Sequence, residues 1–157
     1  MPLTDKSYAT LAEADAYWLD RNDSVWLAAT DVLKDASLIK ATEYIDYQFD
    51  WIGGIKVADQ VLLWPRSSAW DKEGRLRDGI PTELKNAVSW LALHLLTQDK
   101  EVDPPKDRGG DIQKLKAGPV EIEYLQKAVS GTTYDHLYRM LSKIIIGSKN
   151  QMRLIRT

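Results

Sequence analysis

Two stretches of this chain repeat apolar residues at helical spacing, and they restrict its fold more than any other feature. Leu38, Ala41, Ile45 and Phe49 recur at steps of three and four. So do Leu84, Ala87, Val88, Leu91 and Leu95. Each set lines one side of an α-helix, and that side must be buried against a partner. The first pattern predicts a helix from about residue 30 or 31 to 49, the second one from 81 to about 97. Pro81 suits the start of a helix, because its missing N–H would find no partner there.

Shorter signals supply the cover these two helices need. Thr10 and Glu13 have the spacing of a capping box, which opens a helix reaching about Asn22. Leu11, Ala14, Tyr17 and Trp18 fall on its apolar side. Asn22-Asp23-Ser24 reads as a stop and a new cap, with a brief helical turn over 25–29. Gly53-Gly54 breaks the chain before an apolar, strand-like run over 61–64. Pro65 ends that run, since it cannot donate to a sheet ladder and biases Trp64 toward extended backbone.

Residues 99–111 (DKEVDPPKDRGGD) have the proline, glycine and charge density of a linker. Around Gly118-Pro119, Val120, Ile122 and Tyr124 alternate with Glu121 and Glu123, which predicts a small β-hairpin over about 112–124. A last helix is expected over 133–146, with Leu137, Leu141, Ile144 and Ile145 apolar and Gly147 as its stop. The fold class that follows is mainly α: a small helical bundle with a short β-hairpin and an extended C-terminal arm. Residues 1–147 form the helical domain and 148–157 the arm.

Composition narrows the function. At 157 residues the chain fits one domain able to bury a core without staples. A net charge of -2 argues against a generally basic nucleic-acid binder, though a local patch is compatible with it. The chain has no cysteine, so disulfides, thiolate chemistry and cysteine zinc sites are excluded, as suits a reducing cytoplasm. The first ten residues lack the regions of a signal peptide, and no apolar run approaches membrane-spanning length. Six Trp and seven Tyr stand against one Phe. Amphipathic aromatics of this kind suit partly buried protein surfaces.

Catalysis finds no constellation. His94 and His136 are the two histidines, and neither has an acidic residue or histidine three or four positions away. No serine sits in a nucleophile elbow, and neither glycine pair has phosphate-loop spacing. Glu121 and Glu123 are read as the solvated face of a strand. The expectation is a protein that is not an enzyme and uses no cofactor or metal.

Two segments carry the candidate contacts. The first is the polar loop over 65–79, where Trp64, Arg66, Trp70, Asp71, Arg75 and Arg77 mark a displayed surface for a neighbouring subunit or a tail component. The same aromatics and arginines raise single-stranded nucleic acid binding by base stacking in a positive groove. Asp71, Glu73 and Asp78 interrupt that pattern and would repel a phosphate chain. Trp64 as a core anchor, with Arg66 paired to a carboxylate, is the plainer alternative. The second segment is the C-terminus: residues 137–157 contain no acid. Within the arm, Lys149, Arg153 and Arg156 alternate with Met152, Leu154 and Ile155, a pattern suited to docking in a groove on an acidic partner.

Several motifs together resemble a tailed-phage family. They are residues 7–17 (SYATLAEADAY), 35–46 (DASLIKATEYID), Trp64-Pro65-Arg66, Asp71 with Gly74, Ile80-Pro81 and 118–124 (GPVEIEY). Their order, from Ser7 to Leu141, is similar to head-to-tail connector (adaptor) proteins, often labelled DnaT-like single-stranded-DNA-binding proteins. The resemblance implies a structural virion protein of the neck, made in the host cytoplasm. It would form a homo-oligomeric ring, a dodecamer in similar proteins, under the portal. The ring extends the channel through which double-stranded DNA passes and offers the tail its attachment platform. Expected partners are the portal protein, a tail or tail-completion protein and further copies of the chain, with no membrane. Lys149, Met152, Arg153, Leu154, Ile155 and Arg156 would bind the portal. The label implies the alternative, a single-stranded-DNA-binding accessory protein.

Overall fold

The computed structural model describes residues 6–97, 114–117, 120–123 and 135–148. Among these, five helices follow one another: α1 (Leu11–Leu19), α2 (Ser24–Ala28), α3 (Asp31–Gln48), α4 (Thr82–Thr97) and α5 (Asp135–Leu141). The strands form three antiparallel pairs. β1 (Phe49–Trp51) pairs with β6 (Ile145–Ser148), β2 (Gly54–Ile55) with β3 (Arg66–Ser67), and β4 (Lys114–Ala117) with β5 (Val120–Glu123). The mainly α class and the small hairpin expected from the sequence are both present.

Local chemistry places the helix starts. Thr10 Oγ1 accepts the Glu13 N–H at 3.3 Å while the Glu13 carboxylate accepts the Thr10 N–H at 2.9 Å. Two donors with no intrahelical partner are thereby satisfied at the head of α1. Asn22 takes a left-handed φ of 52°, which its short polar side chain tolerates. Asp23 then caps α2, accepting from the N–H groups of Val25 and Trp26, both at 3.0 Å.

The core lies between α3 and α4, whose apolar stripes meet. Leu38, Ala41 and Ile45 from α3 and Leu84, Ala87, Val88 and Leu91 from α4 are wholly buried. Each large side chain there contributes about 1.5–3 kcal/mol of burial free energy. α1 crosses this pair, with Trp18 Nε1 donating to the Ser89 carbonyl at 3.1 Å. Trp26 from α2 is fully enclosed. Its indole N–H and Lys34 Nζ both donate to Asp15 Oδ1, at 2.8 and 2.9 Å, which ties α1, α2 and α3 together. Leu137, Leu141, Ile144 and Ile145 complete the core from the C-terminal side.

Several local expectations differ from the structure. The last helix stops at Leu141, and residues 145–148 form β6 against β1 instead. The isoleucine run 144–146 is β-branched and prefers extended backbone, and residues 49–51 offer it a partner. Gly147 therefore lies in the strand opposite Asp50 and stops no helix. Ser148, counted with the arm from sequence, pairs with Phe49 as the last residue of β6, and Phe49 itself opens β1 after α3 ends at Gln48.

Residues 61–64 form no strand. Their backbone groups bond to side chains. Leu63 N–H donates to Asp46 at 3.3 Å and Trp64 N–H to the Tyr8 hydroxyl at 3.2 Å. Gln60 Nε2 donates to the Leu62 and Pro65 carbonyls at 2.6 and 3.1 Å.

Candidate functional site

The loop over 64–80 is anchored at its start. Trp64 is 1% exposed and meets Trp51 edge-on, with ring centroids 6.0 Å apart. Beside it, the Tyr8 hydroxyl donates to both Asp46 carboxylate oxygens, at 2.6 and 2.7 Å. Burial first, and then the Asp46 charge, push the Tyr8 pKa far upward, so this hydroxyl stays protonated. Arg66 is spent on the backbone: Nε donates to Ile52 O at 2.7 Å, Nη1 to Leu63 O at 3.2 Å and Nη2 to Gly53 O at 2.8 Å. It staples the loop to the turn after β1.

The loop's far half is built around Asp71, whose carboxylate is fully enclosed. Oδ1 accepts the N–H groups of Glu73 and Arg75, each at 2.9 Å. Oδ2 accepts Arg75 Nε at 3.2 Å and Arg77 Nε at 2.9 Å. The Arg75 N–H leads the causes that hold the Asp71 pKa down at about 2, ahead of opposing burial. Arg77 also reaches Glu83 on α4 at 2.8 Å, which ties the loop to the bundle.

What the loop presents outward is Trp70, 59% exposed, whose backbone bridges to Leu76. Lys72, Arg75 and Lys143 are exposed in the same region. Lys72 N–H donates to Lys143 O at 3.3 Å, which brings the turn after α5 against the loop. Glu73 pairs with both Arg75 and Lys143, the latter at 2.8 Å. Its pKa is held below the usual range first by the Lys143 hydrogen bond. Arg75 and Lys143 flank the exposed Glu73 carboxylate, and Lys72 and the Trp70 indole are exposed next to them in the loop.

Of the six loop residues singled out from sequence, only Trp70 and Arg75 face solvent. Trp64 and Asp71 are buried, so neither belongs to a displayed surface. Trp64 is the core anchor of the plainer alternative, but Arg66 meets carbonyls rather than a carboxylate. Sequence reasoning missed Lys72, and nothing near it in the chain announced Lys143 as its neighbour. The order Asp71, Glu73, Arg75, Arg77 could have signalled a self-neutralised turn. Lys149, Met152, Arg153, Leu154, Ile155 and Arg156 lie outside the described residues.

The two histidines, far apart in sequence, flank one indole. Trp90 lies 4.0 Å from His94 and 4.6 Å from His136, centroid to centroid. Burial first, and then His136, lower the His94 pKa. Among the described residues no group of three or more potential ligands could hold a metal ion.

A family model described as "Putative DnaT-like ssDNA binding protein" matches residues 4–157. No curated protein and no solved structure matches the chain.

Proposed function

The chain belongs to this DnaT-like family, and from that membership we propose that it is a non-catalytic, single-stranded-DNA-binding accessory protein. The match over residues 4–157 carries this reading. The Trp70 face supports it, because an exposed indole beside Lys72, Arg75 and Lys143 combines a stacking ring with positive charge. Arg75 bonds to Asp71 and Glu73 yet stays 56% exposed, whereas Arg77 is 21% exposed and Arg66 is held by three carbonyls, so those two lie outside the proposed surface.

Titration with a short oligothymidylate tests the proposal. Engagement of up to three cations gives a log–log salt slope of about -2 for a single strand. Binding with that slope, quenching Trp70 fluorescence relative to a Trp70→Phe variant, supports the reading. Absence of binding at low salt removes it.

A second reading is the head-to-tail connector. The described residues expose many large hydrophobics, among them Val61 at 82%, Val32 at 78%, Tyr47 at 77% and Leu19 at 64%. Side chains such as these would supply the protein contacts of that reading. In this reading the chain is a structural virion protein at the neck. It forms a ring by head-to-tail contacts between copies, meets the portal and tail proteins, and surrounds passing double-stranded DNA. Its presence in purified particles, with ring assemblies in solution, would select this reading. A monomer absent from particles would dismiss it.

A further inference from the structure

An apolar groove of about 640 Å³ runs along α3, apart from the Trp70 face. Ile39, Tyr47, Val61, Leu62 and Leu63 form its walls, and Glu43, Asp46 and Lys6 supply its charges. Tyr47 and Val61, the most exposed of its walls, are 77% and 82% exposed. Asp46 is engaged with Tyr8 and Leu63 N–H, which leaves exposed Glu43 as the acid facing outward.

The strand register brings the end of β6 to the C-terminal end of α3, the helix that carries four of the groove residues. β6 runs antiparallel to β1, with Ser148 opposite Phe49. Phe49 follows directly on α3, so Ser148 pairs next to that helix's last turn, which carries Tyr47. Nine residues follow, KNQMRLIRT, with three cations, three large apolar side chains and no acid. Their reach is about 30 Å when extended. The groove covers about 12 Å of α3 from Tyr47 back to Ile39.

We propose that residues 149–157 dock in this groove of their own chain. Met152, Leu154 and Ile155 cover its apolar walls, and the basic residues between them face Glu43. Two observations select this occupant: the strand register that sets Ser148 next to the end of α3, and the match of an acid-free, apolar-spaced sequence to an apolar groove with an acidic edge. The inference is independent of what the Trp70 face binds. It makes the arm's cations available to another molecule only after the arm leaves the groove, so any partner of the arm competes with Tyr47 and Val61.

The absence of cysteine allows a direct test on the full chain. A Val61→Cys/Leu154→Cys pair is oxidised under mild conditions and compared with a Val32→Cys/Leu154→Cys control, Val32 being exposed at the opposite end of α3. The expected result is an intramolecular disulfide forming at least roughly tenfold faster than in the control, as tethering near the partner raises effective concentration. Adding Glu43→Lys should slow it, and adding Arg153→Glu to that variant should restore it. Equal rates in the two pairs would overturn the proposal. So would intermolecular disulfides, which would assign the groove to the arm of a second copy.

Discussion

Asp71 and Arg77 meet at 2.9 Å, with the carboxylate fully enclosed and the guanidinium continuing to Glu83 on α4. This pair makes a polar loop into a fixed one, because every strong acceptor site on Asp71 is used. An enclosed carboxylate with four donors stays ionised to low pH, and its partners depend on that charge.

Acid should therefore loosen this loop before it unfolds the bundle. The Asp71 pKa is about 2 in the folded chain, against about 3.9 when unfolded. A group lowered by folding contributes stability that is full above the unfolded value and lost as pH falls toward the folded one. Stability measured by urea titration should decline from about pH 4 down to pH 2. Asp71→Asn should flatten that limb and lower stability at pH 7. An unchanged acid limb in the variant would show that Asp71 does not organise the loop.

Gly53 faces a backbone constraint that no other residue meets cheaply. Its φ is 72°, and an added Cβ would lie 2.5 Å from the Ser67 carbonyl oxygen and 2.8 Å from the Ala69 Cα. Gly53→Ala should cost at least 1–3 kcal/mol by strain alone, to order of magnitude (~). Denaturant midpoints measure this. Gly74 also has a positive φ but open space around it, so Gly74→Ala should cost clearly less.

Lys34 is a charge held inside by one acid. Its side chain is 7% exposed, it pairs with Asp15 at 2.9 Å, and it lies over the Trp26 ring at 5.6 Å. Removing one partner of a buried pair costs about 3–5 kcal/mol. Asp15 is 40% exposed, so water reduces the loss, and Asp15→Ala should cost about 1–3 kcal/mol. Adding Lys34→Met should recover a large part of it, since the methionine leaves no unpaired charge. If the double variant is as unstable as the single one, the Trp26 N–H bond to Asp15 carries the effect instead.

What the sequence disclosed was what neighbouring residues decide among themselves. The stripes of α3 and α4, the Thr10–Glu13 box and the Asp23 cap all depend on residues within a turn or two. The C-terminal strand was hidden because Ile145 and Gly147 take their meaning from Trp51 and Asp50, far back in the chain. An isoleucine run reads equally as helix face or strand until its partner is known. The burial and engagement of several candidate residues stayed hidden for a related reason. Arginines look available in a sequence, yet the carbonyls of Ile52, Gly53 and Leu63 that occupy Arg66 leave no mark in composition. Trp64 and Trp70 look alike on paper, and one is buried while the other is mostly exposed.

That difference separates binding from folding experimentally. Trp70 is 59% exposed, so Trp70→Ala should leave thermal stability nearly unchanged. Loss of one stacking ring costs about 1–3 kcal/mol of single-strand binding, roughly 5- to 150-fold in affinity. Arg66→Ala should do the reverse. It removes the charged donor from three backbone carbonyls, of which Gly53's is reached by water, and this costs about 1–3 kcal/mol of folding stability. Once folded, that variant should bind with the wild-type salt slope, because Arg66 contacts no phosphate. Lys72→Ala, Arg75→Ala and Lys143→Ala should each reduce the slope, with Arg75→Ala also destabilising the loop through Asp71. A slope changed by Arg66→Ala but not by Lys72→Ala or Lys143→Ala would move the DNA-binding surface away from Trp70.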